Sequence, residues 1–254
     1  MRPAVAVTDI SCGLMAHGAI LAALYERTHS NLGQHVDTSL METQLATLVP
    51  NAGVYLTGGT ETMHRWGSGN STIVPYQVFY CGDNKGLAIA VGSDKQFQLL
   101  CEAMDAAYLL QGENLEKYRT NACRVKHRKE LVPLLEMQFR GKTRAEWERI
   151  FAAQESELKG TTFPYGPLRK ISEAFECDQA VARDMTIPVP NHKTIPGDVN
   201  LVGHPVKYSR TPCSSPEDTL PPPILGQHTT EVLSSLCNLG ESELVELREL
   251  KVIQ

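Results

Sequence analysis

From Val5 to Arg27 the chain is almost uniformly apolar. Val5–Val7 is a short run, and from Leu14 onward apolar residues cover nearly every face of a helical wheel. The pattern predicts a short buried strand followed by a buried helix over Leu14–Arg27. Asn31–Gly33 marks a turn, and an extended stretch leads into a second helix, Met41–Val49, which Pro50 ends. Residues 58–72, GGTETMHRWGSGNST, follow neither period and read as a glycine-rich loop. Gln77–Val91 holds two β-rich runs joined by Gly82–Gly86, a hairpin signature. From Asp94 to Phe175 the pattern is mainly helical and charged, with a capping box at Thr143 and Glu146. TTFPYGP, residues 161–167, reads as a loop and Ile171–Arg183 as a helix. Extended segments are predicted at Thr186–Val189 and Asp198–Tyr208, followed by a proline-rich surface connector, SRTPCSSPEDTLPPP. His228–Leu250 reads as two helical pieces broken near Asn238–Gly240. Strands and helices intermix, so the fold class is α/β.

Composition narrows this little. The 254 residues suffice for one large domain or two smaller ones. A hydrophobic content of 42% with 21% charged residues is that of an ordinary globular protein. The net charge of −5, with no cluster of lysine or arginine, gives no sign of a nucleic-acid surface. Ala16–Tyr25 is too short an apolar run for a membrane span, which needs about 18 residues or more. The seven cysteines are scattered, odd in number and never spaced C-x-x-C, which argues against a disulfide framework or zinc site and for a reducing compartment.

One ionisable group stands where the predicted strand meets the helix. A carboxylate at Asp9 would feel the unpaired N–H groups of the helix start, which favour an anion by about 0.3–1 kcal/mol. Such a group can act as nucleophile, or simply as a helix N-cap. Cys12 is a rival nucleophile because a helix N-terminus lowers a thiol pKa. No histidine sits at a base-like spacing, so it reads as a buried structural cysteine. His17, inside the apolar helix, reads as a core histidine. His64, Arg65 and Asn70 flank Gly67 and Gly69, and either loop polarity or ligand contact accounts for them. The sequence GSG lacks the spacing of a phosphate-binding fingerprint, and the eight histidines are too dispersed to suggest metal ligands.

Residues 8–46, TDISCGLMAHGAILAALYERTHSNLGQHVDTSLMETQLA, resemble the block D-x-x-x-G-x-x-A…I-x-A-A-L-x-x-R…G-x-G-Q-x-V-D-x-S-L of the class III CoA-transferases. That family includes formyl-CoA and carnitine CoA-transferases and, more distantly, α-methylacyl-CoA racemases. The similarity continues through VPYQVFYCGDNKGLAIAVGSDKQFQLLC, AFECDQAVARDM, GHPVKYSRTP and PPPILGQHTTEVL, and so spans essentially the whole chain.

The resemblance implies the class III CoA-transferase fold: the C-terminal part of a Rossmann-like large domain plus a smaller α+β domain. Its expected divisions are residues 1–75 (rear of the large domain, with the nucleophile), 76–208 (small domain) and 209–254 (return to the large domain). It makes Asp9 the acyl carrier, forming a mixed anhydride and then an aspartyl-CoA thioester. Backbone N–H groups near Gly13 become candidate oxyanion donors. It places Arg65, Gly67, Gly69 and Asn70 in a loop over the active aspartate, in contact with substrate, although the loop reads Gly-Ser-Gly-Asn rather than a run of glycines. The implied reaction moves CoA between succinyl-CoA and a short dicarboxylate, glutarate or hydroxymethylglutarate; racemisation of an acyl-CoA is the alternative. Coenzyme A enters as substrate, with no resident cofactor or metal. The family forms an interlocked homodimer, and the resemblance points to a mitochondrial location without nucleic-acid or membrane partners. Family members carry a substantial segment before this aspartate. The expectation is therefore a shortened product, such as a splice isoform, that alone binds CoA weakly and turns over little or not at all.

Overall fold

The alternating run after Pro75 forms the expected hairpin. In the computed structural model, which describes residues 4–59, 65–160, 162–189, 199–211, 213 and 219–253, β1 (Tyr76–Tyr80) pairs antiparallel with β2 (Gly86–Ala90). β2 in turn pairs with β3 (Tyr165–Pro167), in the segment expected to be a loop. Three residues are too few to show a period. Tertiary pairing defines this strand, with Ala88 opposite Gly166 and Ala90 N–H donating to the Pro164 carbonyl at 2.9 Å.

The sheet belongs to the first of two compact units, Met1–Pro167 and Leu168–Gln254. The unit opens with helices α1 (Val7–Ser30), α2 (Leu40–Thr47) and α3 (Val49–Leu56). Val5–Val7 is not a strand. A lone apolar tripeptide without a partner strand leaves its backbone groups unpaired, whereas helix satisfies them locally; Ile10 N–H already donates to the Ala6 carbonyl at 3.0 Å. α1 is helical as expected, yet none of its described residues is buried, and His17 is exposed rather than a core histidine. α1 has 24 residues, and an 18-residue window within it has a mean hydropathy of 1.5, so it is long and apolar enough by composition to cross a membrane, a test that core helices also pass. Pro50 separates α2 from α3 but sits in the first turn of α3, where its missing N–H costs nothing.

After the hairpin come α4 (Asp94–Ala103), a 3-10 turn (Ala107–Leu110), α5 (Gly112–Tyr118), α6 (Asn121–Lys126), α7 (Arg128–Arg140) and α8 (Arg144–Glu157). α4 begins with a Ser93–Gln96 capping box and α8 with the expected Thr143–Glu146 box. Their apolar faces close on one side of the sheet, where Phe79, Leu87, Ile89, Phe97, Leu135 and Phe151 are buried. Phe139 stacks on Phe79 at 4.6 Å and accepts the Trp147 indole N–H at its carbonyl, so the largest core side chain has its polar atom satisfied.

The second unit begins with α9 (Ile171–Phe175) and α10 (Asp178–Ala182), two short helices where one was expected, because Cys177 turns extended and restarts the chain. β4 (Thr186–Val189) and β5 (Val199–Val202) pair antiparallel. Gly203 follows, where a Cβ would overlap the Asp184 carbonyl oxygen. α11 (Thr229–Cys237) and α12 (Glu241–Glu249) are separated as expected, with Asn238 left-handed at φ 56°.

Candidate functional site

Asp9 lies in the first turn of α1, not at the end of a strand. The electrostatic consequence is unchanged: the amides of this turn lack helical partners and favour an ionised carboxylate. The side chain is exposed and makes no hydrogen bond or ion pair with a described residue. An accessible carboxylate with no competing partner among the described residues can attack an electrophile. Gly13, one turn on, has nothing within 4 Å of an added Cβ. Its N–H falls inside the α1 ladder and is taken up by the helix, whereas the amides of the first turn have no helical acceptor. Thr8 and Cys12 turn toward α2: the Thr8 hydroxyl donates to Gln44 Oε1, and Cys12 Sγ lies 3.8 Å from Thr38 Oγ1. Cys12 is half-buried.

The Gly67–Asn70 loop does not hang free. It docks along the outer edge of β1, with Asn70 N–H donating to the Tyr76 carbonyl at 2.8 Å and Val78 N–H donating to Ser68 Oγ at 3.2 Å. Asn70 Oδ1 accepts from Thr72 N–H at 2.8 Å and Ile73 N–H at 3.1 Å, which leaves its amide nitrogen as the group open to a ligand. Gly67 needs its glycine for φ +64°. At Gly69 a Cβ would sit 3.2 Å from the Trp66 carbonyl oxygen, close enough that the turn would have to give by a few tenths of an ångström. Arg65 is exposed and makes no hydrogen bond or ion pair with a described residue, and His64 lies outside the described residues. No hydrogen bond or ion pair among the described residues joins this loop to Asp9. Beside the loop, Ser68, Tyr76, Val78, Ala88, Ala90 and Gly166 line a 240 Å³ cleft on the sheet. The two alanines and the glycine leave its floor low.

Sequence reasoning missed the side chains of α6 and of the start of α7 that hold the loop's exit. Asn121, Arg124 and Arg128, at i, i+3 and i+7, all bond the backbone of residues 71–74. The Asn121 side chain donates to the Thr72 carbonyl at 2.8 Å and accepts Val74 N–H at 3.0 Å. Arg124, fully buried, donates from Nε to the Val74 carbonyl at 2.7 Å. Arg128 donates to the Ser71 carbonyl at 2.9 Å and stacks on Trp66 at 4.3 Å. The helical spacing of these polar residues was the only local signal. No group of three or more His, Cys, Asp or Glu suited to a metal ion occurs among the described residues.

Residues 1–229 match the model of CoA-transferase family III. The chain belongs to that family. The Mus musculus protein named succinyl-CoA:glutarate CoA-transferase is 35% identical over 247 residues, 97% of this chain and 53% of its own length. The Homo sapiens protein of the same name is 33% identical over 253 residues, 100% of this chain and 54% of its own. The chain thus spans about half the length of the curated relatives it matches. Among solved structures, a CaiB/BaiF family protein from Brucella suis has a TM-score of 0.69 at 28% identity, covering 93% of this chain and 57% of that one. Rv3272 from Mycobacterium tuberculosis reaches the same TM-score at 17% identity, covering 91% and 56%, and so shares the fold. The class III CoA-transferase fold expected from the sequence is therefore the observed one.

Proposed function

We propose that this chain moves CoA between succinyl-CoA and a short dicarboxylate such as glutarate, with Asp9 as the covalent carrier. The observation that carries the reading is an accessible carboxylate at a helix N-terminus with no hydrogen bond or ion pair among the described residues, inside the family match and with relatives named for this transfer. In the first step an Asp9 oxygen attacks the succinyl thioester carbon, forming a mixed anhydride and expelling CoA thiolate. The thiolate then attacks the Asp9 carbonyl, giving an aspartyl-CoA thioester and free succinate. The acceptor carboxylate attacks that thioester and again releases thiolate, which attacks the new acyl carbon to form glutaryl-CoA and regenerate Asp9. Each step exchanges one acyl bond for another, so no redox partner or cofactor is needed and CoA is a substrate. An anhydride is prone to hydrolysis, and in this reading the Gly67–Asn70 loop keeps water away, with Arg65 beside it. The divisions near residues 75 and 208, an interlocked homodimer and a mitochondrial location belong to the same proposal and rest on the resemblance alone.

One acylation event suffices as a test, without turnover. Succinyl-CoA followed by hydroxylamine should leave a hydroxamate at Asp9, read by peptide mass spectrometry, and Asp9→Asn should abolish it with the fold intact. Capture at Glu26 or Asp37 instead, or an undiminished reaction in the Asn variant, would remove Asp9 from the mechanism.

A further inference from the structure

We infer that Arg128 is a positioning residue that clamps the Gly67–Asn70 loop onto the sheet edge, and that the clamp protects the acylated intermediate. The second half of this inference rests on the acyl-carrier reading above; the first half rests on geometry alone. Arg128 is half-buried at the start of α7, and no carboxylate pairs with it among the described residues. Burial lowers its guanidinium below the ordinary arginine value, so the position is costly to the charge. What it meets there is the loop. Its plane covers Trp66 on one side of Gly67 and Gly69, and its Nη2 binds the Ser71 carbonyl on the other. Its Nη1 would lie 4.0 Å from a Cβ at Gly69, so the guanidinium also packs beside the middle of the loop. One planar cation therefore grips the loop before and after its glycines. Asn121 and Arg124 fix only the chain beyond the loop, at Thr72 and Val74. Remove Arg128, and the stretch from Trp66 to Ser71 loses the cation on its Trp66 ring and the donor at its Ser71 carbonyl, while its contacts with β1 remain.

The loop amides can report on the clamp directly. Gly69, Asn70, Thr72, Ile73 and Val74 each donate to an acceptor and should exchange slowly. In Arg128→Met, hydrogen exchange of the segment 66–73 should accelerate roughly tenfold or more while α8 and the hairpin are unchanged. Arg128→Lys, which keeps the charge and one carbonyl bond, should fall between. Trp66→Leu should loosen the same amides less than Arg128→Met does, since the bond to the Ser71 carbonyl remains, and the double variant should fall short of the two effects combined because the stacking contact is shared. After acylation by succinyl-CoA, the half-life of the Asp9 adduct by intact mass should shorten about fivefold in Arg128→Met and be partly restored in Arg128→Lys. Unchanged exchange in the Met variant overturns the clamp, as does acceleration spread evenly over the unit. A loosened loop with an unchanged adduct lifetime overturns its protective role. Absence of any Asp9 adduct in the wild type sinks the carrier reading instead, and exchange alone then decides the clamp.

Discussion

Arg124→Met should destabilise the first unit far more than Asp94→Asn, although the two residues form an ion pair. Arg124 is fully buried, with Nε donating to the Val74 carbonyl at 2.7 Å and Nη1 to the Tyr118 carbonyl at 3.0 Å. Its guanidinium lies 4.4 Å over the Phe97 ring. Nη2 is 3.0 Å from Asp94 Oδ1 but is not aligned for a hydrogen bond, and the same oxygen accepts the Asn121 N–H at 2.8 Å. Burial lowers the guanidinium pKa, partly offset by Asp94. Replacing Arg124 leaves two buried carbonyls without donors, at about 1–3 kcal/mol each, and removes a desolvated cation–π contact worth up to about 2 kcal/mol. Relief of the buried charge returns part of this, so a net loss of about 3–5 kcal/mol is expected. Asp94 is 49% exposed, so water takes over much of its role. An Asn there still accepts from Asn121, and the expected cost is about 1 kcal/mol or less. Urea denaturation followed by tryptophan emission is the assay, because Trp66 and Trp147 both lie in the first unit. The urea midpoint should fall with an unchanged m-value. Equal losses in the two variants, or a loss under about 1 kcal/mol in Arg124→Met, would refute the argument that the carbonyls dominate.

The two glycines of the loop should fail differently. Gly67→Asn should be tolerated, since Asn visits positive φ, and Gly67→Val should not; at Gly69, where φ is ordinary, Ala, Asn and Val should all loosen the loop amides in hydrogen exchange, because the obstacle is the Trp66 carbonyl. Burial, first of all, pushes the Cys81 thiol up to about 11 and that of Cys101 up to about 12, so the folded chain keeps protons that the unfolded chain releases. Their contribution to stability is therefore complete below pH about 9 and is lost as pH rises toward the folded values, and replacing both by Ala should flatten the fall of Tm between pH 9 and 11; an unaltered slope would contradict this. With a disulfide reagent at pH 8, exposed Cys237 should react first, and Cys81 and Cys101 only on unfolding.

Local chemistry made some elements legible. The hairpin was readable because two β-rich runs flank Gly82–Gly86, and the start of α8 because Thr143 and Glu146 satisfy each other's donors. The break between α11 and α12 was readable because Asn238 tolerates a left-handed turn. Val5–Val7 misled because a short apolar run carries no period, and only a partner strand could have made it one. Burial of α1 was inferred from its apolar faces, but composition sets what a helix can cover, not which of its residues are covered among those described. Asp9 was legible as a carboxylate at a helix start, which needs only the residue and the start.

The clamp was not legible, and the reason is one of range. Asn121, Arg124 and Arg128 sit in NACRVKHR, a stretch whose charges look like a solvated helix face. Their acceptors are backbone carbonyls 49, 50 and 57 residues earlier, so nothing near them in the sequence specifies the bonds. A carbonyl has no side-chain identity, and any residue types at 71, 72 and 74 would offer the same acceptors. The glycines were visible but ambiguous: flexibility and close approach select the same residue, and only the positive φ of Gly67 and the Trp66 carbonyl beside Gly69 tell them apart. Glycine in this loop therefore serves contact as much as freedom. At Gly67 it supplies a backbone angle, and at Gly69 it lets the turn close onto the Trp66 carbonyl. A loop fixed in this way can shield a reactive acyl group without ordering itself anew for each one, because the entropy of holding it was already spent in folding.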